Sequence, residues 1–172
     1  MVNEIPKLNI TPREQPEFRP KSSKQELLNL RIQIVNDTVN NNLPSFKEVH
    51  LMHGDEQIGG LDFEQYPEDK FIKINKATLD NKYKGNDLGM KLYETLISFA
   101  KENNFEKIKS DNIVQGGAIA VWIKLSDKYK VLVNPSIQEK YTEFVKIYKD
   151  NKFFKDYLSV SPGESVFELD LK

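Results

Sequence analysis

No cysteine occurs among the 172 residues, so disulfides, thiolate metal sites and cysteine nucleophiles are excluded. Histidine is nearly absent too: His50 and His53 are the only two. They stand three apart on a segment that reads as a strand, so their side chains point to opposite faces and cannot share a metal. No metal site is expected. The glycine-rich patterns of dinucleotide and nucleoside-triphosphate sites and the His-Glu-x-x-His metalloprotease pattern are missing. No apolar run approaches a membrane span, and Met1 leads into no apolar signal segment, so a cytoplasmic protein with no membrane partner is expected. Neither charge sign dominates, with 25 basic against 26 acidic residues. That balance argues against a surface built for nucleic acid.

A chain of this length is most simply one domain with a sizeable core. Residues 1–27 hold four of the eight prolines, Pro6, Pro12, Pro16 and Pro20, which deny that stretch a long helix or a central strand. It reads as a polar N-terminal extension, either a flexible tail or an arm docked through Ile5, Leu8, Ile10 and Phe18. Residues 28–172 read as the domain.

The domain opens with strands. Leu28, Leu30, Ile32 and Ile34 alternate with Asn29, Arg31 and Gln33, the period of a half-buried strand. Residues 46–52 and 57–66 form a hairpin about Gly54-Asp55. Gly59-Gly60 inside its second strand predicts a bulge or a close backbone approach. Pro67-Glu68-Asp69 turns the chain into a fourth strand through Phe71, Ile72 and Ile74. An antiparallel meander is expected.

The next segment organises the rest. Lys82-Tyr83-Lys84-Gly85-Asn86-Asp87-Leu88-Gly89 is a basic, glycine-bearing turn that leads directly into a helix. Leu88, Leu92, Leu96, Phe99 and Ala100 recur at helical spacing. Asn86 or Asp87 is expected to cap this helix, and Asn103-Asn104 to end it in a left-handed turn. A strand follows at Ile108, parallel to the one at Phe71. Unpaired N–H groups and the positive end of the helix dipole suit this turn to phosphate, with Lys82 and Lys84 adding charge. A second helix is expected over residues 116–129, with Ala118, Val121, Trp122 and Leu125 on one face, and a third over 137–149. Phe153, Phe154 and Tyr157 form an aromatic cluster, and Phe167, Leu169 and Leu171 a closing strand.

These residues resemble the acyl-CoA-binding core of the GNAT N-acetyltransferases, marked by Gln/Arg-x-x-Gly-x-Gly/Ala between a strand and a helix. Lys82 falls on the Gln/Arg, Gly85 on the first Gly, and Asp87 on the Gly/Ala. Leu88, Gly89 and Leu92 match the continuation. Ala118, Trp122 and Lys124 are similar to the Ala-x-x-x-Tyr-x-Lys of a later family helix. The resemblance spans residues 57–133 and extends to acetyltransferase-like proteins of bacteriophages, which points to a phage or bacterial source. Asp87 stands where the family carries a small residue, and Trp122 where many members carry a thiolate-protonating tyrosine.

The resemblance implies an α/β (α+β) fold with a mixed, mostly antiparallel sheet, helices on both faces and a βαβ cofactor-binding core. The family's first two helices have room only in residues 37–45, which implies an open acceptor side. Acetyl-CoA is the implied co-substrate and an amine of a small molecule or protein the acceptor. The cofactor is implied to meet Ala77, Thr78, Leu79, Lys82, Lys84, Gly85, Asn86, Asp87, Leu88 and Gly89, with one of the first three giving a backbone N–H to the thioester carbonyl. Asp62, Glu64, Asp80 and Asp111 are the carboxylates available as a base; Asp111 lies at a strand's C-terminal end, where ligands gather in such sheets. Tyr129 is the candidate for the missing phenol, and Ser110 for a water or substrate partner. A non-catalytic binding or inhibitor module is the alternative, and monomer and homodimer both stay open.

Overall fold

The computed structural model of the chain describes residues 29–36, 46–150 and 156–172. The expectations for residues 1–27 and 37–45, and for Phe153 and Phe154, lie outside them. Four strands follow one another in an antiparallel meander: β1 (Leu30–Asn36), β2 (Phe46–His53), β3 (Glu56–Tyr66) and β4 (Phe71–Leu79). Next come α1 (Leu88–Glu102), β5 (Lys107–Lys109), β6 (Ile113–Gln115), α2 (Gly116–Ser126), β7 (Lys130–Val133), α3 (Gln138–Lys149), β8 (Tyr157–Ser159) and β9 (Phe167–Asp170). Seven strands make the main sheet, in the order β1-β2-β3-β4-β5-β9-β7, while β6 and β8 pair separately. Among the described residues only the β4–β5 pairing is parallel, as the strand–helix–strand reading of residues 71–111 predicts.

Gly59 and Gly60 act through close approach. A Cβ on Gly59 would stand 2.8 Å from the Thr78 carbonyl oxygen, and one on Gly60 2.6 Å from that of Val49. Both distances are below contact, so only glycine lets β2, β3 and β4 meet there. The register also slips between Leu51 and Met52 opposite this pair, which is the expected bulge.

α1 ends as its asparagines predict. Asn104 is left-handed at φ 60°, and Phe105 N–H reaches back to the Ala100 carbonyl at 2.9 Å, satisfying a carbonyl of the last turn. α2 stops at Ser126, three residues short of the expected end. Its last turn tightens, with Asp127 N–H on Lys124 O and the Ser126 hydroxyl on Ile123 O. Its buried face is also rotated from the expected one. Ile119, Trp122, Ile123 and Leu125 are buried, while Ala118 and Val121 are only partly so. The reason is a second neighbour: Val121 is taken up by α1, where a Cβ on Gly89 would stand 3.1 Å from Val121 Cγ2.

The core lies on one face of the sheet. Trp122, 1% exposed, stacks on Phe167 of β9 at 5.1 Å between ring centroids and meets Tyr93 of α1 edge-on at 5.7 Å. Tyr141 of α3 abuts the same Phe167 at 5.5 Å. Each such ring pair adds about 0.5–1.5 kcal/mol beyond the area it buries. Helices on both faces were expected, and the described residues supply them to this face. The opposite face instead carries charge across the strands: Glu64, Lys73, Lys109 and Glu168 fall in one cross-strand row.

The Trp122 indole N–H hydrogen-bonds the Tyr93 hydroxyl, and burial drives the Tyr93 pKa far above its ordinary 10.0. Because the folded-state pKa is raised, this contribution to stability is complete below pH 10 and is lost as pH climbs above it. Tyr93→Phe should cost about 1–3 kcal/mol at pH 7 by orphaning the indole N–H. Above pH 10 the variant should lose stability less steeply than the wild type, by up to about 1.4 kcal/mol per pH unit. Urea unfolding between pH 7 and 11 measures both, and parallel alkaline slopes would refute the assignment.

Candidate functional site

β4 and β5 pair over three residues only, Phe71 with Lys107, Ile72 with Ile108 and Lys73 with Lys109. β4 then runs on to Leu79 with no strand on that side among the described residues. The cause of the parting lies just after β5. Ser110, 1% exposed, donates its backbone N–H to Phe167 O at 2.9 Å, and its hydroxyl accepts Phe167 N–H at 2.9 Å. The same hydroxyl donates to the Asp111 carbonyl at 2.8 Å. Further on, Val166 N–H bonds Asp111 O and Val160 N–H bonds Asn112 O, which commits the chain to the β9 and β8 side. A V-shaped cleft results, with β4 on one wall and residues 110–115 on the other. Ser110 is therefore spent inside the fold, which removes it as a substrate partner.

Ala77, Thr78 and Leu79 line the free edge of β4, the first two exposed. Nearer the apex, the β3–β4 register slips: Asp62 faces Lys76 and Phe63 faces Ile74, leaving Asn75 bulged. The bulge brings Asn75 and Lys76 into the set of backbone groups that can face the cleft, which the sequence reading did not include. Alternating polarity alone does not show a one-residue slip.

The turn beyond β4 is built as the sequence suggests, with one correction. Residues Asn81–Tyr83 form a 3₁₀ turn, Gly85 adopts φ 84°, and Asp87 is left-handed at φ 56°. Tyr83 is buried, and its hydroxyl pairs with His53 Nδ1 at 3.2 Å, which pins the turn to the end of β2. Neither expected cap forms. Asn86 donates to Tyr83 O at 3.1 Å, and Asp87 makes no side-chain cap bond. The Asp87 carboxylate reaches across to Lys124 of α2 instead, and this pairing raises the Lys124 pKa. A capping aspartate needs an extended backbone, and the left-handed conformation aims this side chain elsewhere. Leu88 is buried in the core and Gly89 faces Val121, so either could offer only a backbone N–H to a ligand. Lys82 lies 5.3 Å from the Tyr83 ring, and Lys84 is exposed at the mouth of the turn.

The candidate acids and bases separate clearly. Tyr129 lies beside Lys101 at the far end of α1, 5.6 Å from ring centroid to Nζ. Thirteen residues of helix, about 20 Å, separate Lys101 from the glycine turn. Tyr129 is thus packed by the C-terminal end of α1, and its described contact is with Lys101 and not with β4. Asp80 opens the turn, its carbonyl accepting Tyr83 N–H. Asp62 sits opposite Lys76. Asp111 begins the cleft's second wall, with Oδ1 accepting Asn112 N–H at 2.7 Å and lying 3.8 Å from Lys73 Nζ. Glu64 is the cross-strand partner of Lys73 and accepts the Tyr66 hydroxyl at 2.7 Å, a bond that raises the Tyr66 pKa. Tyr66, absent from the sequence reading, stacks on Phe71 at 4.4 Å. Its i, i+2 relation to Glu64 on one strand face was the available signal.

Of these groups Tyr66 lines a groove of about 530 Å³ on the charged sheet face, together with Phe71, Lys73, Lys109, Leu132, Glu164 and Glu168 among others; Glu64 and Asp111 are not part of its lining. The site thus joins a cleft with one bare strand edge, an anion-suited helix start and a groove edged by carboxylates. The donors fit a long ligand that carries amides and a pyrophosphate. Backbone edge is available for the amides, and first-turn N–H groups with two lysines for the phosphates.

No protein-family model matches the sequence, and no curated protein does. Solved structures do. A Klebsiella pneumoniae protein described as an acyl-CoA N-acyltransferase aligns over 83% of this chain and 98% of its own, at 16% identity and a TM-score of 0.51. Tetrahymena GCN5 aligns over 83% and 97%, at 15% identity and a TM-score of 0.51. The fold is that of the GNAT N-acetyltransferases: a mostly antiparallel mixed sheet with helices, parting beside a glycine turn.

At φ 84° Gly85 has open space about its Cβ position, so a side chain there meets strain without a clash. Gly85→Val should lower the unfolding free energy by about 1–2 kcal/mol and leave the circular dichroism spectrum unchanged. A loss above this range, or an altered spectrum, would show that the turn's conformation differs from that described.

Proposed function

We propose that the chain is an acetyl-CoA-dependent N-acetyltransferase acting on an amine of a small molecule or protein. One observation carries the reading: β4 leaves β5 after Lys73 and runs, its edge uncovered among the described residues, into a glycine turn at the start of a 15-residue helix. When bound, acetyl-CoA supplies a thioester whose C–S bond breaks as the new C–N bond forms. The chain's own task is to hold and orient. Lys82, Lys84, Gly85 and the first turn of α1 take the pyrophosphate. The free edge of β4 takes the amides, and a backbone N–H near the Asn75 bulge points to the carbonyl oxygen. Glu64 accepts the amine proton, with Asp111 as the alternative base on the opposite wall. Lys73 stands between them, 3.8 Å from Asp111 and opposite Glu64 across the strands.

Burial of Trp122 favours the second reading, a non-catalytic binding module. An indole packed between Tyr93 and Phe167 cannot protonate a thiolate, so on the enzyme reading the leaving sulfur takes its proton from water.

Binding is read first. CoA at about a hundred times its dissociation constant should stabilise the chain by about 2.7 kcal/mol in a thermal-shift titration, and Gly85→Val should abolish the shift. No shift at millimolar CoA would sink both readings.

Turnover separates them. With a broad amine panel, Glu64→Gln should lower kcat by about a hundredfold or more. An unchanged kcat would transfer the role to Asp111. Binding without turnover of any amine would select the second reading.

A further inference from the structure

Asp87 presents a difficulty for any anion at the start of α1. It occupies the N-cap position of that helix with its side chain mostly in solvent, and a carboxylate there would repel a phosphate drawn to the same N–H groups. The structure shows where the charge goes. The carboxylate crosses to the Lys124 ammonium on α2, out of the turn's mouth. Two features make that crossing reachable. Gly89 lets α2 settle close against α1 through Val121, and a second ion pair, Lys128 just past the end of α2 with Glu94 at 2.7 Å, ties that end to α1 two turns further along. Lys91 and Asp127 also face this groove of about 390 Å³, and Lys124 hydrogen-bonds the Asp87 carboxylate.

We propose that Lys124 is a positioning residue for the anion site: it holds the Asp87 carboxylate against α2, clear of the path of a pyrophosphate settling on the start of α1. An acidic residue can then stand where the site otherwise calls for a small one. The inference rests on the acyl-CoA reading above. It assigns Lys124 an action through Asp87 and no contact with the ligand. The left-handed backbone at Asp87 serves the same end, since it turns the side chain from its own helix's N–H groups toward α2.

A double-mutant cycle on the full chain tests this, with CoA affinity measured by calorimetry. Lys124→Met should weaken CoA binding about tenfold, because the released carboxylate swings toward the phosphates. Asp87→Gly should bind at least as tightly as wild type. The double variant should match Asp87→Gly, since without the carboxylate there is nothing to hold. Lys128→Met controls for loss of a nearby positive charge and should change affinity far less than Lys124→Met. An equal loss from Lys124→Met in both backgrounds would mean that the ammonium touches the ligand itself, and the inference would fall. It would fall too if Lys124→Met bound normally, or if Lys128→Met weakened binding as much. A wild type that binds no CoA would overturn the acyl-CoA reading together with this one, whereas normal wild-type binding with an additive cycle would overturn this one alone.

Discussion

One serine hydroxyl decides the shape of this molecule's cleft. Ser110 Oγ takes the Phe167 N–H that a backbone carbonyl would otherwise accept, and it returns its own proton to the next carbonyl along. With both roles filled locally, the strand that began at Lys107 bends toward β9 and β8 instead of continuing beside β4. Buried backbone groups must find partners somewhere, and here they find them all on one side. The other side is left with a six-residue strand edge facing the gap.

The sheet's two faces divide the work. One is sealed by Trp122, Phe167, Tyr93 and the leucines of α1, a stack that fixes α1 and α2 at a spacing set by Gly89. That spacing also fixes the distance between Asp87 and Lys124, so core packing reaches directly into the electrostatics of the turn. The other face keeps its charges paired across strands, Lys107 with Glu168 at 2.7 Å and Lys130 with Asp170 at 3.2 Å. Exposed pairs of this kind contribute little to stability. Their consequence is a polar sheet face, with Phe71 and Leu132 set among the charges along the groove.

Much of this was legible from residue order. Period-two alternation gave the meander, the Gly59-Gly60 pair gave the close approach, and the asparagines gave the end of α1. Those signals are local, and local chemistry decides them. The misses share a different origin. Asp87 looked like a cap because composition does not reveal a left-handed backbone, and Tyr129 looked available because α2's direction depends on what it packs against. The buried face of α2 was misplaced for the same reason: Val121 answers to a glycine 32 positions earlier. Ser110 read as a substrate partner until Phe167, 57 residues away, supplied its hydrogen bond. Long-range partners of single polar atoms leave no periodic trace.

The bare edge of β4 has a bearing on how the protein behaves in solution. A strand with free N–H and C=O groups is a template for any other extended chain, including a second copy. Here that edge is short and recessed at its apex, and Lys76 stands exposed beside it. Such features are gatekeepers against self-association. An uncovered strand edge is thus also the place where this fold must guard against self-association, and any ligand laid along it would relieve lysine of that duty by completing the sheet.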